Sequence, residues 1–197
     1  MPMKKILITG FEPFGGEKIN PSWLAVEQVT CDRAEIIKKE LPVTFHGARD
    51  CIRALMDEHR PDYVISVGQA GGRKPVTVEF VAVNLMDGVD NDGVRMQDES
   101  LVPCGENAIF ATLPVRQLVD CVRESGVPCA RSLSAGAYVC NAVMYTALHH
   151  AKAQQMDCRC GFVHVPFIPE QVVGKDAPAM PLSDIVRALE MMIDHLA

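Results

Sequence analysis

A cysteine stands out among the residues whose type and surroundings suit covalent chemistry. Cys140 lies near the end of the stretch Ser134-Ala135-Gly136-Ala137-Tyr138-Val139-Cys140-Asn141, which leads from a short apolar segment into a run of helical composition. In the first turn of a helix, unpaired backbone N–H groups and the positive end of the helix dipole favour an anion. We therefore expect Cys140 to be a nucleophile whose pKa is lowered, although many cysteines are simply small buried apolar residues.

Two further residues strengthen the reading of Cys140 as a nucleophile. Glu79 is the only charged residue in the run Val76–Val83, for which the sequence predicts one continuous strand. A carboxylate among apolar neighbours is costly unless it is paired or used, and the alternative is a solvated strand face. His164 lies in a second strand-like run, Gly161–Val165.

The elements that must position these residues alternate along the chain. Apolar runs predict strands, and apolar positions repeating with helical spacing predict helices between them, which is typical of an α/β protein. The predicted strands are Lys4–Thr9, Ala34–Val43, Tyr63–Val67, Val76–Val83 and Gly161–Val165. The predicted helices begin at the Asn20-Pro21 cap, cover Ala48–His59, follow Pro114, run from Cys140 to about Ala153, and close the chain around Ile185–Ile193. The stretch Asn84–Gly105 is expected to be irregular.

Two glycine-rich segments follow predicted strands. Gly10–Gly16 contains Phe11 and Phe14, which either line a pocket or cap the core. Gly68–Arg73 follows the strand Tyr63–Val67, at the carboxyl edge where ligands bind in open α/β sheets. Its glycines suggest a phosphate site only weakly, because neither a G-x-G-x-x-G pattern nor a Walker lysine is present.

Composition narrows the classes of function. The chain has 197 residues and a net charge of −6 with no Lys/Arg cluster, which argues against nucleic acid as the main partner. No apolar run approaches a membrane span, and Met1–Lys5 leads straight into a strand, so we expect a cytoplasmic protein. The eight cysteines are expected to be reduced, and without a C-x-x-C pair we expect no metal and no cofactor. The acidic run Asp87–Asp92 lacks the terminal glutamate of a calcium loop.

Four motifs, taken in order, resemble a known family. They are Gly10–Gly16 with Asn20-Pro21-Ser22, Val67–Arg73, Ser134–Asn141, and Gly161–Phe167 with Pro169. Together they resemble the pyrrolidone-carboxylate peptidases, the type I pyroglutamyl peptidases, which are cysteine peptidases. The likeness extends from Lys4 to about Pro169. It implies a three-layer α/β/α sandwich with an open, mostly parallel twisted sheet, formed by one domain over residues 1–197.

The resemblance also implies roles for individual residues. By motif position, Cys140 corresponds to the nucleophile, His164 to the base and Glu79 to the acid that orients it, which agrees with the chemistry of these side chains. Phe11 and Phe14 correspond to the aromatics that hold the flat pyroglutamyl ring. The remaining residues expected to border that pocket are Gln69, Tyr138 and Val139. The implied substrates are peptides with N-terminal pyroglutamate, cleaved through a thioester, and family members are often homotetramers.

The oxyanion site is where the chain departs from the family pattern. The backbone N–H of Cys140 is expected to contribute to it. The segment Leu85–Gly93 is about two residues shorter than the family loop and lacks the arginine thought to assist the oxyanion. Either Arg73 or Arg95 takes its place, or the enzyme is slow and has only backbone donors. Substitution is the favoured expectation, and Arg73 is the better candidate because it ends the glycine-rich segment.

Two other functions remain open on the sequence. A transferase similar to nucleoside phosphorylases has a related sandwich and would bind phosphate at Gly68–Arg73. A non-catalytic relative would bind lactam-capped peptides without cleaving them, and the altered segment Leu85–Gly93 is its only support.

Overall fold

The computed structural model describes residues 3–197 and contains ten strands and five α-helices. The strands are β1 (Lys4–Phe11), β2 (Ala34–Leu41), β3 (Tyr63–Gln69), β4 (Val76–Glu79), β5 (Val81–Val83), β6 (Met86–Val89), β7 (Arg95–Glu99), β8 (Ala108–Phe110), β9 (Cys129–Ser132) and β10 (Arg159–Val165). The helices are α1 (Pro21–Gln28), α2 (Phe45–His59), α3 (Val115–Glu124), α4 (Val139–Ala153) and α5 (Leu182–Leu196). Met1 and Pro2, the start of the predicted lead into the first strand, lie outside the described residues.

Six strands form the central sheet, in the order β2-β1-β3-β10-β4-β9. Neighbouring strands are parallel except for β4 and β10, which pair antiparallel. Helices α2 and α4 pack on one face, while α1, α3 and α5 pack on the other, each layer with its own apolar core. This confirms the predicted α/β/α sandwich with a mostly parallel sheet.

The alternation of side chains along β10 decides which face carries chemistry. Cys160 and Phe162 belong to the core beneath α2 and α4, whereas Val163 and Val165 belong to the core of the opposite face. Because successive strand residues point to opposite faces, His164 shares the α4 face with Phe162. The sheet therefore presents His164 to the helix that carries Cys140.

The prediction of one strand over Val76–Val83 is wrong, because the chain changes sheets at Phe80. Glu79 pairs with Phe162 of β10 in the central sheet, but Val81 begins a two-stranded ladder with β8. The segment after β8 takes over the edge of β10 at that point: the backbone N–H of Thr112 and that of Leu113 donate to the carbonyl of Cys160. Because the carbonyl of Cys160 is already hydrogen-bonded to this segment, β4 cannot pair with β10 beyond Phe162, and the strand ends at Glu79.

The stretch Asn84–Gly105 is also more regular than predicted. It contains the antiparallel hairpin β6–β7, whose turn is held by Asp90. The Asp90 carboxylate accepts backbone N–H groups from Asp92 at 3.1 Å and Val94 at 2.9 Å, and from Phe45 at the start of α2 at 2.9 Å. Met86 and Met96 are the buried residues of the two strands, and the exposed ones are polar or charged except Val89, so no apolar alternation marked the hairpin in the sequence.

Other sequence-based boundaries agree with the structure within a few residues. The side chain of Asn20 accepts the N–H of Ser22 at 3.0 Å and caps α1, with Pro21 as the first helical residue, as predicted. Strand β3 continues through Gly68 and Gln69, two residues beyond the prediction. Within residues 3–197, no helix is both long enough and apolar enough to cross a membrane.

Candidate active site

The chain enters α4 as predicted, through a short strand and a glycine-containing turn, and Cys140 is the second residue of the helix. The helix has no side-chain cap and no acidic residue in its first turn. Its first intrahelical bond runs from the N–H of Ala142 to the carbonyl of Tyr138. Within residues 3–197, the backbone N–H groups of Val139, Cys140 and Asn141 donate to no other residue, and that of Cys140 lies against its own sulfur. These donors lie in the same helical turn as Cys140 and are available to an anion that forms there.

Gly68 lets the sulfur of Cys140 lie close to the sheet at the position paired with His164. A Cβ on Gly68 would lie 2.8 Å from Cys140 Sγ and 2.8 Å from the ring of Phe162, so only glycine lets the helix approach this closely. Gly68 and His164 are paired in register across β3 and β10. Paired residues on neighbouring strands point to the same face of the sheet. Gly68, with Cys140 Sγ above it, is therefore next to the imidazole of His164 on that face.

The imidazole of His164 is held by a buried carboxylate. Nδ1 of His164 lies 2.7 Å from Oε1 of Glu79; the two side chains are 5% and 0% exposed. Because the ionised carboxylate can only accept, Nδ1 carries the proton and Nε2 is left as the basic nitrogen. Oε2 of Glu79 is buried and has no hydrogen-bond partner among residues 3–197.

Arg73, predicted as an oxyanion donor, contacts the carboxylate in this structure. Its Nη1 donates to Oε1 of Glu79 and to Oγ1 of Thr77, both at 2.6 Å, and its Nη2 donates to the carbonyl of Ser134 at 3.3 Å. Both terminal nitrogens of the guanidinium are therefore engaged. Arg95, the other candidate, is exposed on β7.

The expectation of a lowered cysteine pKa is wrong. Burial, and after it the negative charge of Glu79, raise the pKa of Cys140, which lies at about 12. The positive charge of Arg73 and the backbone N–H of Cys140 lower that pKa by less, so desolvation of the thiolate outweighs the helix terminus. The sequence indicates that Cys140 lies at a helix terminus, but it does not show how much protein surrounds the sulfur.

The same environment sets the charge of the two partners. Burial lowers the pKa of His164, and the charge of Arg73 lowers it too, against the opposing effect of Glu79. Burial acts to raise the pKa of Glu79, but the hydrogen bond and charge of His164, together with hydrogen bonds from Ser132 and Arg73, outweigh it, and the net pKa is lowered. At neutral pH the resting site therefore holds a thiol, a neutral imidazole and a carboxylate.

A narrow cavity ends at Cys140. The side chains that line it are mostly aromatic or aliphatic: Phe11, Phe14, Asn20, Val43, Gln69, Tyr138, Val139 and Cys140. The structure thus brings together all five residues that the resemblance places around the substrate ring. Sequence reasoning found Asn20 only as a helix cap, and it found Val43 only as the end of a strand. No signal in the sequence connected either residue with a pocket.

Aromatic contacts fix the shape of this cavity. The ring centroid of Phe11 lies 6.2 Å from that of Phe162, and the centroid of Phe14 lies 6.3 Å from that of Tyr138. Tyr138 also packs edge-on against Phe45 at 5.4 Å, and its hydroxyl donates to the carbonyl of Val89 at 3.0 Å. A rigid slot between aromatic rings suits a flat, uncharged group.

Two of the three glycines in the Gly68–Arg73 segment serve close packing. Gly68 lies under the sulfur of Cys140, and a Cβ on Gly71 would lie 2.2 Å from the ring of Phe167. The one basic side chain within the segment, Arg73, is bound to Glu79. A phosphate site would need these backbone N–H groups and a free cation, so the geometry does not favour the transferase alternative.

The remaining cysteines lie outside this site. All eight are free thiols, and the sulfur of Cys158, just before β10, lies 3.8 Å from that of Cys160 on the strand. Among residues 3–197, no group of three or more His, Cys, Asp and Glu side chains is arranged to hold a metal ion.

Comparison with known proteins agrees with the four motifs. The profile of a family described as pyroglutamyl peptidase matches residues 4–197. The pyrrolidone-carboxylate peptidase of Thermococcus onnurineus is 50% identical over 193 residues, which cover 96% of each chain. That of Bacillus subtilis is 42% identical over 193 residues, covering 95% of this chain and 90% of the relative.

Solved structures show the same agreement in three dimensions. The crystal structure of pyroglutamyl peptidase I from Bacillus amyloliquefaciens superimposes with a TM-score of 0.93 at 39% identity, covering 96% of this chain and 94% of that one. The pyrrolidone carboxyl peptidase from Thermococcus litoralis also gives 0.93, at 38% identity, with 98% and 92% covered. The resemblance inferred from the motifs is confirmed, and the chain belongs to the pyroglutamyl peptidase family.

Proposed function

We propose that this chain is a cysteine hydrolase that removes N-terminal pyroglutamate from peptides. The observation that carries the proposal is the meeting of three features at one sulfur: the aromatic cavity, the free N–H groups of α4, and the buried Glu79–His164 pair. A cavity of this kind binds a flat ring and presents the adjacent carbonyl to a nucleophile.

Acylation begins with the thiol. Nε2 of His164 takes the proton of Cys140 as the sulfur attacks the carbonyl carbon of the pyroglutamyl residue, because the raised pKa of Cys140 leaves little thiolate beforehand. The oxyanion that forms accepts hydrogen bonds from the backbone N–H groups at the start of α4. The imidazolium then gives its proton to the departing amine. The carbon–nitrogen bond breaks, and a thioester on Cys140 remains.

Deacylation uses the same groups in reverse roles. His164, neutral again, takes a proton from a water molecule that attacks the thioester carbonyl. The second tetrahedral intermediate collapses with cleavage of the carbon–sulfur bond, the imidazolium of His164 returns the proton to the departing sulfur, and pyroglutamate is released. Glu79 stabilises the imidazolium in both half-reactions through its 2.7 Å contact with Nδ1. Arg73 holds Glu79 in place, so we assign it a positioning role and the oxyanion site to backbone donors.

The cavity lining suits a lactam better than a charged amine. None of its eight residues is acidic or basic, so an N-terminal ammonium group would lose its hydration without gaining a counter-ion. Phe11 and Phe14 bracket the ring, and Gln69 offers a polar contact. Peptides with free N-terminal glutamine should therefore be poor substrates.

The test is release of a fluorogenic amine from pyroglutamyl, glutaminyl and prolyl amides. We expect kcat/KM for the pyroglutamyl amide to exceed that for the other two by at least about 10²-fold. Equal cleavage of the glutaminyl amide would contradict the proposed specificity. Tight binding of the pyroglutamyl amide without any turnover would instead support the non-catalytic alternative.

The role of Arg73 is tested by the pH dependence of Arg73→Met. Because Arg73 lowers the pKa of His164, its removal raises that pKa, and a higher pH is then needed to keep the imidazole neutral. We expect the acidic limb of the kcat/KM profile, measured from about pH 4 to 8, to move to higher pH.

The control is Arg95→Met, which removes an exposed arginine of β7 and should leave the profile unchanged. If Arg73→Met instead lowers kcat by about 10²–10³-fold at every pH with no movement of the limb, Arg73 is an oxyanion donor.

We also propose that residues 1–197 act as one domain and that copies of the chain associate, as in homotetrameric family members. Exposed apolar side chains such as Phe110 and Leu133 support association. Light scattering coupled to size-exclusion chromatography measures the assembly.

Eight free cysteines suit a reducing compartment, so we propose a cytoplasmic location.

A further inference from the structure

A second glutamine, Gln171, contacts Gln69 without itself lining the cavity. Gln171 ends a short 3-10 helix, Pro169–Gln171, and is 5% exposed, while Gln69 is 8% exposed. Nε2 of Gln171 donates to Oε1 of Gln69 at 2.8 Å and to the carbonyl of Ile19 at 3.3 Å. Oε1 of Gln171 accepts the backbone N–H of Ile168 at 3.2 Å. All donors of this amide, and its oxygen, are therefore engaged.

The backbone fixes which way the Gln171 amide points. The two ends of a glutamine amide have nearly the same shape, so the orientation follows from the hydrogen-bond partners. Ile168 offers only an N–H and must face Oε1, whereas Ile19 offers a carbonyl and must face Nε2. These opposite requirements leave one orientation, in which Gln171 presents a donor to Gln69.

The orientation of Gln69 follows from that donor. Gln69 must turn Oε1 toward Gln171, which directs its Nε2 elsewhere. Nε2 of Gln69 has no acceptor among residues 3–197. It is nevertheless not a buried atom, because within those residues Oε2 of Glu79 is the only buried side-chain N or O atom without a hydrogen-bond partner. Since Gln69 lines the cavity together with Cys140, its N–H₂ group is accessible from the cavity.

We propose that Gln171 is a specificity-determining positioning residue, which makes Gln69 a hydrogen-bond donor to the substrate ring. The inference rests on the proposed function and deepens it. A five-membered lactam carries a ring carbonyl that accepts from Gln69. The ring of an N-terminal proline has a methylene there and, as a secondary ammonium, only donors. A reversed Gln69 amide would direct Oε1 at the lactam oxygen and remove the preference.

The decisive variant is Gln171→Glu, which keeps the shape of the side chain but removes the donor. The new carboxylate still accepts the backbone N–H of Ile168. Because it can only accept, Gln69 must turn its N–H₂ group toward residue 171 and its oxygen toward the cavity. We expect KM for the pyroglutamyl amide to rise about 10- to 100-fold with kcat within about threefold, since ground-state and transition-state binding are lost together. Gln171→Met, which lets Gln69 turn either way, should raise KM less.

A double-variant cycle separates positioning from a general structural effect. In a Gln69→Met background there is no amide to orient, so Gln171→Glu and Gln171→Met should change KM by less than about twofold. An equal rise in KM in both backgrounds would show that Gln171 supports the loop and not the Gln69 amide. Should Gln171→Glu fail to fold, the same cycle with Gln171→Met decides the question.

The outcomes also separate this inference from the proposed function. If the wild-type chain cleaves no pyroglutamyl amide, the proposed function fails. If the wild type cleaves it and the folded Gln171→Glu variant keeps its KM and its preference over the prolyl amide, only the role of Gln171 is overturned.

Discussion

Replacing Cys140 by serine is expected to reduce kcat/KM for a pyroglutamyl amide by about 10⁵–10⁶-fold, the loss typical of removing a catalytic nucleophile. The serine hydroxyl is a far weaker acid than the thiol, and the environment that raises the pKa of Cys140 to about 12 disfavours an alkoxide still more. The substitution is nearly isosteric, so circular dichroism and the melting temperature should change little. Release of the fluorogenic amine gives the rate.

A matched control is Cys51→Ser, which alters a partly exposed cysteine on α2, away from the cavity. Its activity should stay within about twofold of wild type. Retention of more than about 1% of the activity by Cys140→Ser would mean that another group performs the attack.

Glu79→Gln is expected to lower kcat by about 10²–10⁴-fold while the protein stays folded. Arg73 donates to Oε1 as well, so the amide oxygen of the variant should stay between Arg73 and His164 and preserve the imidazole tautomer. What disappears is the negative charge that stabilises the imidazolium. Single-turnover rates at several pH values measure the loss.

The double variant Glu79→Gln/Arg73→Met tests this electrostatic explanation. Without the carboxylate, the positive charge of Arg73 opposes protonation of His164 with nothing to balance it. Removing Arg73 should therefore recover part of the activity lost in Glu79→Gln. Additive losses of activity in the double variant would contradict the electrostatic explanation. Near wild-type turnover of the single variant Glu79→Gln would show that Glu79 has a purely structural role.

The sequence predicted the elements that carry chemistry because each has a strong local signal. An isolated carboxylate in an apolar run, a histidine in a second run and a cysteine at a strand–turn–helix junction identified Glu79, His164 and Cys140. The break at Phe80 escaped prediction because the segment around Thr112 competes for the same edge of β10, and that competition exists only in three dimensions.

The chemistry of the site depended on packing that no local pattern records. The direction of the Cys140 pKa follows from how many atoms surround its sulfur, including the close approach that Gly68 permits. The sequence predicted the correct sheet edge for Arg73 but not its partner. Glu79 comes within reach of Arg73 only when β4 pairs with β10 in the folded sheet. Gln171 follows the last motif and had no sequence signal at all.

Direct detection of the acyl-enzyme tests the central claim that Cys140 carries the substrate acyl group. The wild-type protein is mixed with an activated pyroglutamyl ester, quenched in acid within the first turnovers, digested and mapped by mass spectrometry. We predict the mass of one pyroglutamyl group on the peptide containing Cys140, lost on treatment with hydroxylamine as expected of a thioester, and none in Cys140→Ser. An adduct on another residue, or turnover in which Cys140 is never acylated, would contradict the account.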